Sequence, residues 1–277
     1  MQIRPIETLE DCRKVVELEK AVWEYTDGED VVPVAILIVS IKRGGILLGA
    51  FDTAGQMKGF VYSLAAMKDG RPTQWSHMLG VTEDARDSGL GARLKLAQRL
   101  HAIRMGVDLI EWTYDPLQAL NAHLNFAKLG VVVAGYAQNL YGDSSSPLHR
   151  GTPTDRFIAE WHLSTPHVER RLAAPGRGIV RDASIGSAPL VNPSKPTAGG
   201  LAPGPAALDL DAHRLLVEIP TGFGIMQARN PPLALEWRMA TREIFQTYFG
   251  RGYRAVDFYL SRESSRGEYV LATGDSR

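Results

Sequence analysis

Val81-Thr82-Glu83-Asp84-Ala85-Arg86-Asp87-Ser88-Gly89-Leu90-Gly91-Ala92 is the stretch on which the reading of this chain turns. It joins an expected strand, Gln74 to Val81, to an expected helix in which Leu90, Leu94, Ala97, Leu100 and Ile103 recur at helical spacing up to a stop at Gly106. Gly89 and Gly91 carry no Cβ, so the backbone there can turn tightly and approach a ligand. The free amides of the first helical turn, at the positive end of the helix dipole, offer donors to an anion. Arg86-x-x-Gly89-x-Gly91 therefore reads as a cradle for a diphosphate. A P-loop would continue with Gly-Lys-Ser/Thr, and a Rossmann turn would need a third glycine where Leu94 stands. Neither pattern fits.

The 277 residues suffice for one large or two modest domains. Lys plus Arg equals Asp plus Glu at 31 each, so no global field draws the chain to nucleic acid or to an anionic membrane. The single cysteine, Cys12, cannot form an intramolecular disulfide, and neither cysteines nor histidines show metal-ligand spacing. The N-terminus lacks the plan of a secretory signal, and the longest apolar stretch, Val31 to Ile41, is too short to span a bilayer. The expectation is a cytoplasmic protein with no metal and no membrane partner. A homo-oligomer is compatible with the sequence.

Working outward, the first 165 residues alternate strand and helix. Strands are expected at 3–6, 46–51, 58–66, 74–81, 107–113, 131–140 and 156–163, with helices at 9–24, 34–42, 90–103 and 117–129. Residues 166–207 form a Pro/Gly/Ala-rich linker or surface strap whose core, 173–207, lacks aromatics and carries five prolines between 189 and 205. Order resumes in a small α/β unit at 208–277, where Leu233, Trp237, Ala240, Ile244 and Tyr248 form an apolar stripe and Val256, Phe258 and Leu260 share a strand face. The fold class is α/β: a central mixed sheet with flanking helices, plus a smaller C-terminal unit.

The cradle, with its strand before and its helix after, resembles the acyl-CoA loop of the GCN5-related N-acetyltransferase superfamily, whose signature is Val-x-x-x-x-Arg/Gln-x-x-Gly-x-Gly/Ala. The resemblance covers residues 1–165 and implies acetyl-CoA or another acyl-CoA held by Arg86, Asp87, Ser88, Gly89, Leu90, Gly91 and Ala92. It also implies that the strand before the loop splays from its parallel neighbour, so that Leu79, Gly80 and Val81 pair through their backbone with the pantetheine arm. His77, four residues before Val81, is the candidate base: an imidazole titrates near neutrality, and period two would put it on one face with Leu79 and Val81. Aralkylamine N-acetyltransferases, which this segment resembles, carry a histidine at that offset. The bland alternative is a buried histidine bonded to a neighbouring element.

The second half of the superfamily pattern is incomplete. Where a typical member has Asn-x-x-Ala-x-x-Leu-Tyr-x-x-x-Gly-Phe, this chain has Ala119-Leu120-Asn121-Ala122-His123-Leu124-Asn125-Phe126-Ala127-Lys128-Leu129-Gly130-Val131. Ala122 and Gly130 align, but Phe126 stands in place of the tyrosine acid. Asn121 and Asn125 are candidates for the cofactor arm, and Tyr136 and Tyr141 for the missing acid. A CoA thiolate, like a cysteine thiolate of pKa about 8.5, leaves tolerably without one. For the acceptor, the resemblance implicates the Trp23 to Pro33 segment with Trp23 and Tyr25 as walls. Asp115, at the end of the 107–113 strand, is a candidate to hold a substrate ammonium or to cap the next helix.

The runs Ser76-His77-Met78-Leu79-Gly80-Val81, Trp112-Thr113-Tyr114-Asp115-Pro116-Leu117, Tyr141-Gly142 and Gly151-Thr152-Pro153-Thr154-Asp155-Arg156 are similar to a subgroup of predicted acetyltransferases with a C-terminal extension. Some of that subgroup are associated with N-acylamino-acid metabolism, which implies succinyl-CoA as donor and an amino acid as acceptor. The leading reading is an acyl-CoA-dependent N-acyltransferase acting on a small-molecule amine by direct attack in a ternary complex. Its rivals are a non-catalytic acyl-CoA-binding or regulatory protein, which Phe126 permits, and a protein-modifying enzyme that docks its partner on the C-terminal unit.

Overall fold

The computed structural model describes residues 1–25, 31–142, 151–173, 187–261 and 263–274. Residues 26–30 of the expected acceptor segment and 174–186 of the expected linker lie outside the described residues. The chain forms two compact units, one of Met1–Trp112 and one of the described residues from Thr113 onward.

In the first unit the strands β1 (Gln2–Pro5), β2 (Ile46–Phe51), β3 (Met57–Lys68), β4 (Arg71–Val81) and the start of β5 (Leu109–Tyr114) lie side by side in that order. All neighbours are antiparallel except β4 and β5, which run parallel. The β3–β4 hairpin turns at Asp69-Gly70, both at positive φ (49° and 74°), the conformation a two-residue hairpin loop demands. Helix α1 (Leu9–Trp23) starts where Thr8 accepts the Asp11 amide at 3.1 Å, and α2 (Val34–Lys42) follows Pro33. The buried side of α1 comprises Asp11, Cys12, Val15, Leu18 and Glu19, a helical stripe packed with Leu37, Phe60, Tyr62 and Met78.

Helix α3 (Leu90–Arg104) covers the other face of this sheet. A Cβ on Gly59 would meet Leu94 and Leu90 of α3, whereas one on Gly80 would meet Trp23 of α1, and these glycines lie on opposite faces of adjacent strands. The face that α3 buries differs from the apolar stripe read in the sequence. Leu90 and Leu94 are buried, but Leu100 and Ile103 are exposed, and Lys95, Gln98 and Ala102 take their place. Polar residues that meet partners across the interface thus rotate the helix away from its apolar periodicity.

In the second unit α4 (Ala119–His123) runs into a π-helical turn, Leu124–Leu129, ended by Gly130 at φ 72°. The expected helix start at 117 is a turn instead, in which Asp115 accepts the Leu117 amide at 2.9 Å. Strands β6 (Val132–Ala137) and β7 (Arg156–His162) precede α5 (Pro166–Ala173), a helix within the expected linker. The strap beyond it carries a short hairpin of β8 (Lys195–Thr197) and β9 (Gly200–Ala202), and buries Val191 and Asn192.

Strand β10 (Arg214–Pro220), helices α6 (Phe223–Arg229) and α7 (Pro231–Gly250), and strands β11 (Arg254–Ser261) and β12 (Arg266–Ala272) complete the second unit. Its strands lie in the order β7-β6-β11-β12-β10, all antiparallel, so the elements on either side of the strap share one sheet. Helix α7 buries Leu233, Trp237, Ile244 and Tyr248 of the expected stripe, with Arg238, Thr241 and Phe245 beside them. A bulge between Ala255 and Asp257 breaks the alternation expected for β11, so Asp257 and Phe258 are both buried while Val256 and Leu260 are not.

Candidate active site

The expected anion cradle lies between β4 and α3. Arg86, Asp87, Ser88 and Gly89 are exposed ahead of α3, Asp87 and Gly89 adopt positive φ (57° and 78°), and Ser88 Oγ donates to the Ala85 carbonyl at 2.7 Å. The first described backbone bond into the helix is Arg93 N to Gly89 O, and among the described residues the amides of Leu90, Gly91 and Ala92 have no acceptor. Gly91 is informative because nothing in the protein requires it. It sits in helical backbone, and an added Cβ would meet only Leu79 Cδ2, at an ordinary 3.8 Å. The fold leaves room there for a side chain, and a bulky one would fill the space that a ligand lying across the helix start needs. This is the fit expected for the diphosphate of CoA.

Strand β4 supplies the second element. Its pairing with β5 consists of Gln74 with Ile110 and Trp75 with Glu111, leaving Leu79, Gly80 and Val81 unpaired on that side among the described residues. Gly80 is a glycine for packing reasons, since Phe60 and Trp23 lie 2.9 and 3.1 Å from its virtual Cβ.

His77 sits where the β3–β4 register shifts: Tyr62 pairs with Met78 and Ser63 with Ser76, so His77 is the extra residue of a bulge. The bulge overturns the period-two expectation. Leu79 points to α3, but His77 turns to the α1–α2 face, with its ring edge-on to Tyr62 at 6.1 Å. There it joins Val31, Val32, Pro33, Ile36, Tyr62 and Leu64 around a cavity of ≈ 300 Å³. His77 is exposed rather than buried, yet the surrounding protein strips enough water to lower its pKa, which keeps the ring neutral at physiological pH. A neutral imidazole on a cavity wall can accept a proton.

Sequence reasoning missed Glu19. Its side chain is fully buried, with one carboxylate oxygen accepting the amide of the cavity residue Val32 at 2.9 Å and Oε1 without a hydrogen-bond partner among the described residues. Burial raises its pKa to about 7, and that of neighbouring Tyr62 also rises, through burial, with the Glu19 charge adding to the effect. The available signal was a carboxylate at a core position of the Cys12-Val15-Glu19 helical stripe.

Trp23 and Tyr25 stack on each other at 6.3 Å, and Trp23 packs on Phe60, so both belong to the core around α1 and neither lines the cavity. The remaining candidates belong to the second unit. Asp115 is committed to Arg238 through two bonds of 2.8 and 2.6 Å. Tyr136 donates to the fully buried Asp155 at 2.6 Å, and burial with that carboxylate raises its pKa, so its proton is held. Arg242 closes this network on Asp155 with two bonds of 2.8 Å. Tyr141 is exposed, its hydroxyl 2.8 Å from Thr113 Oγ1. Asn121 is exposed, Asn125 is buried, and Phe126 is fully buried against Tyr269, a place where a hydroxyl would have no water.

No protein-family model matches the chain. A mycothiol acetyltransferase of Propionibacterium freudenreichii subsp. shermanii is 32% identical over 114 residues, which span 38% of this chain and 36% of that protein. Among solved structures, yncA of Salmonella typhimurium with its cofactor acetyl-CoA matches 60% of this chain and 95% of its own at 20% identity and TM-score 0.49. The ribosomal-protein-S18-alanine N-acetyltransferase of Escherichia coli matches 59% and 94% at 16% identity and TM-score 0.47. The chain thus spans 36% of the length of the curated relative it matches, and the Arg-x-x-Gly-x-Gly cradle at the head of α3, with the order of elements around it, resembles the acyl-CoA loop of the GCN5-related N-acetyltransferase superfamily.

Proposed function

We propose that the protein is an acetyl-CoA-dependent N-acetyltransferase acting on a small-molecule amine, with residues 1–165 carrying the acyltransferase fold and 208–277 completing the sheet of the second unit. The observation that carries the reading is Gly91, whose missing side chain leaves room that the fold does not use, beside unpaired helix-start amides. Acetyl-CoA supplies an acyl thioester. Amides at the start of α3 hold its diphosphate, and the unpaired edge of β4 at Leu79 to Val81 orients its arm. The acceptor amine occupies the cavity of ≈ 300 Å³, whose size suits a small molecule. As its nitrogen bonds to the acyl carbon and the carbon–sulfur bond breaks, His77 accepts the proton. A cytoplasmic location belongs to the proposal; there a lone thiol such as the buried Cys12 stays reduced.

A second reading, an acyl-CoA-binding protein without turnover, is favoured by two observations: Phe126 replaces the family's acid, and Tyr136 is locked to Asp155. Thermal-shift titration with acetyl-CoA, succinyl-CoA and CoA, followed by thiol release with a panel of amino acids and other small amines, separates the two. Stabilisation with amine-dependent thiol release supports the enzyme, and stabilisation without release supports the binding protein. No stabilisation by any CoA species defeats both.

A further inference from the structure

Lys95 is an expensive residue with no function in the description so far. Only 3% of it is exposed, and among the described residues no carboxylate pairs with it. Its Nζ donates to Ser76 Oγ at 2.8 Å and to Gln98 Oε1 at 3.1 Å, and lies 3.6 Å from the centre of the Trp112 ring. Gln98 Nε2 donates to the same Ser76 oxygen at 3.1 Å. Burial drives the amine's pKa well below its ordinary value. A buried amine without a counter-charge destabilises a fold, and a methionine would fill the same volume without that penalty.

The group's position is specific. Ser76 lies on β4 and Trp112 on β5, each one residue beyond the last paired rung, Trp75 with Glu111. The Lys95 side chain, reaching from α3, touches both strands where their backbone bonds end. From there β4 continues through the His77 bulge to Leu79, Gly80 and Val81, which pair with β3 but, among the described residues, with nothing on the β5 side.

We infer that Lys95 is a positioning residue for the acyl-CoA: it ties β4 to β5 at the rung where their pairing stops and so holds in place the open Leu79 to Val81 edge of β4 that receives the pantetheine arm. This rests on the acyl-CoA reading proposed above. Ser76 and Gln98 orient the amine, and Trp112 gives it a flat surface on the β5 side. An apolar side chain would fill the space but hold neither strand at a set distance.

The test is Lys95→Met in the full-length protein, measured by calorimetric titration with CoA, by melting temperature, and by amide hydrogen exchange of residues 76–81 without ligand. The expected result is CoA affinity weakened about tenfold or more, a melting temperature equal to or above the parent's, and faster exchange in β4. Unchanged CoA affinity overturns the inference. So does weaker binding accompanied by a lower melting temperature, which assigns Lys95 to stability alone. If Lys95→Met does not fold, Ser76→Ala decides, because it removes one end of the tie: weakened CoA binding supports the inference and unchanged binding overturns it. A parent protein that binds no CoA defeats the acyl-CoA reading and the inference together, whereas a binding parent with an equally binding variant defeats only the inference.

Discussion

At Gly91 the cost of a side chain falls on the ligand rather than on the fold. Gly91→Val should leave the melting temperature within a few degrees of the parent's, because the virtual Cβ contacts only Leu79 at 3.8 Å and a glycine gives the helix no advantage. CoA affinity measured by calorimetry should fall at least tenfold, and unchanged affinity in a folded variant would remove the cofactor assignment. His77→Ala makes the complementary case. It should retain CoA binding and lose about 10²-fold in turnover at neutral pH. Rate should recover as pH rises and the acceptor amine sheds its own proton, and a variant with the parent's turnover would rule out His77 as base. The place of the glycine in the first turn of α3 was legible in the sequence because it is a local matter of spacing at a helix start. The carboxylate of Glu19 was not, because its partner, the Val32 amide, is brought to it only by the packing of α1 against the segment leading into α2.

At the scale of elements, Glu19 makes the cavity wall sensitive to pH. Its folded pKa of about 7 lies above its ordinary value of 4.5, so the folded protein holds this proton more tightly than the unfolded chain does. Stability from this group is therefore full below about pH 4.5 and declines as pH rises through about 7. Glu19→Gln keeps an acceptor for the Val32 amide and removes the titration. Urea denaturation from about pH 5 to about pH 8 should show a decline of up to ~3 kcal/mol in the parent that is absent from the variant. Equal slopes in the two proteins would contradict the assignment. The strands and helices of the first unit follow their sequence patterns closely, since apolar alternation, Asp-Gly turns and helix stops act over few residues. The β4 bulge at His77 and the turned face of α3 were hidden. Both are settled by partners on other elements, Tyr62 and Ser63 for the bulge and Ser76 and Trp112 for the helix.

For the whole molecule, the composition change at 166–207 reads as a linker ahead of a smaller C-terminal unit, and elements from both sides of it build the second unit. Phe157 packs on Phe245 at 4.6 Å and on Tyr269 at 5.3 Å, while Arg238 and Arg242 neutralise Asp115 and Asp155. Deleting residues 174–277 should therefore strip apolar surface from the second unit and leave the buried Asp155 and the half-buried Asp115 without their arginines. The truncated protein should aggregate on size-exclusion chromatography, and a soluble monomer of the parent's stability would show that 1–173 folds alone. The pairing of Val133 with Ala255 joins residues 122 positions apart (255 − 133). During synthesis β6 finds β7 early but must wait for β11 on its other side, whereas every strand pair of the first unit is available once Trp112 has emerged. The nascent protein thus carries an open β6 edge while residues 138 to 253 are being made, an exposed strand edge of the kind that invites pairing with other chains.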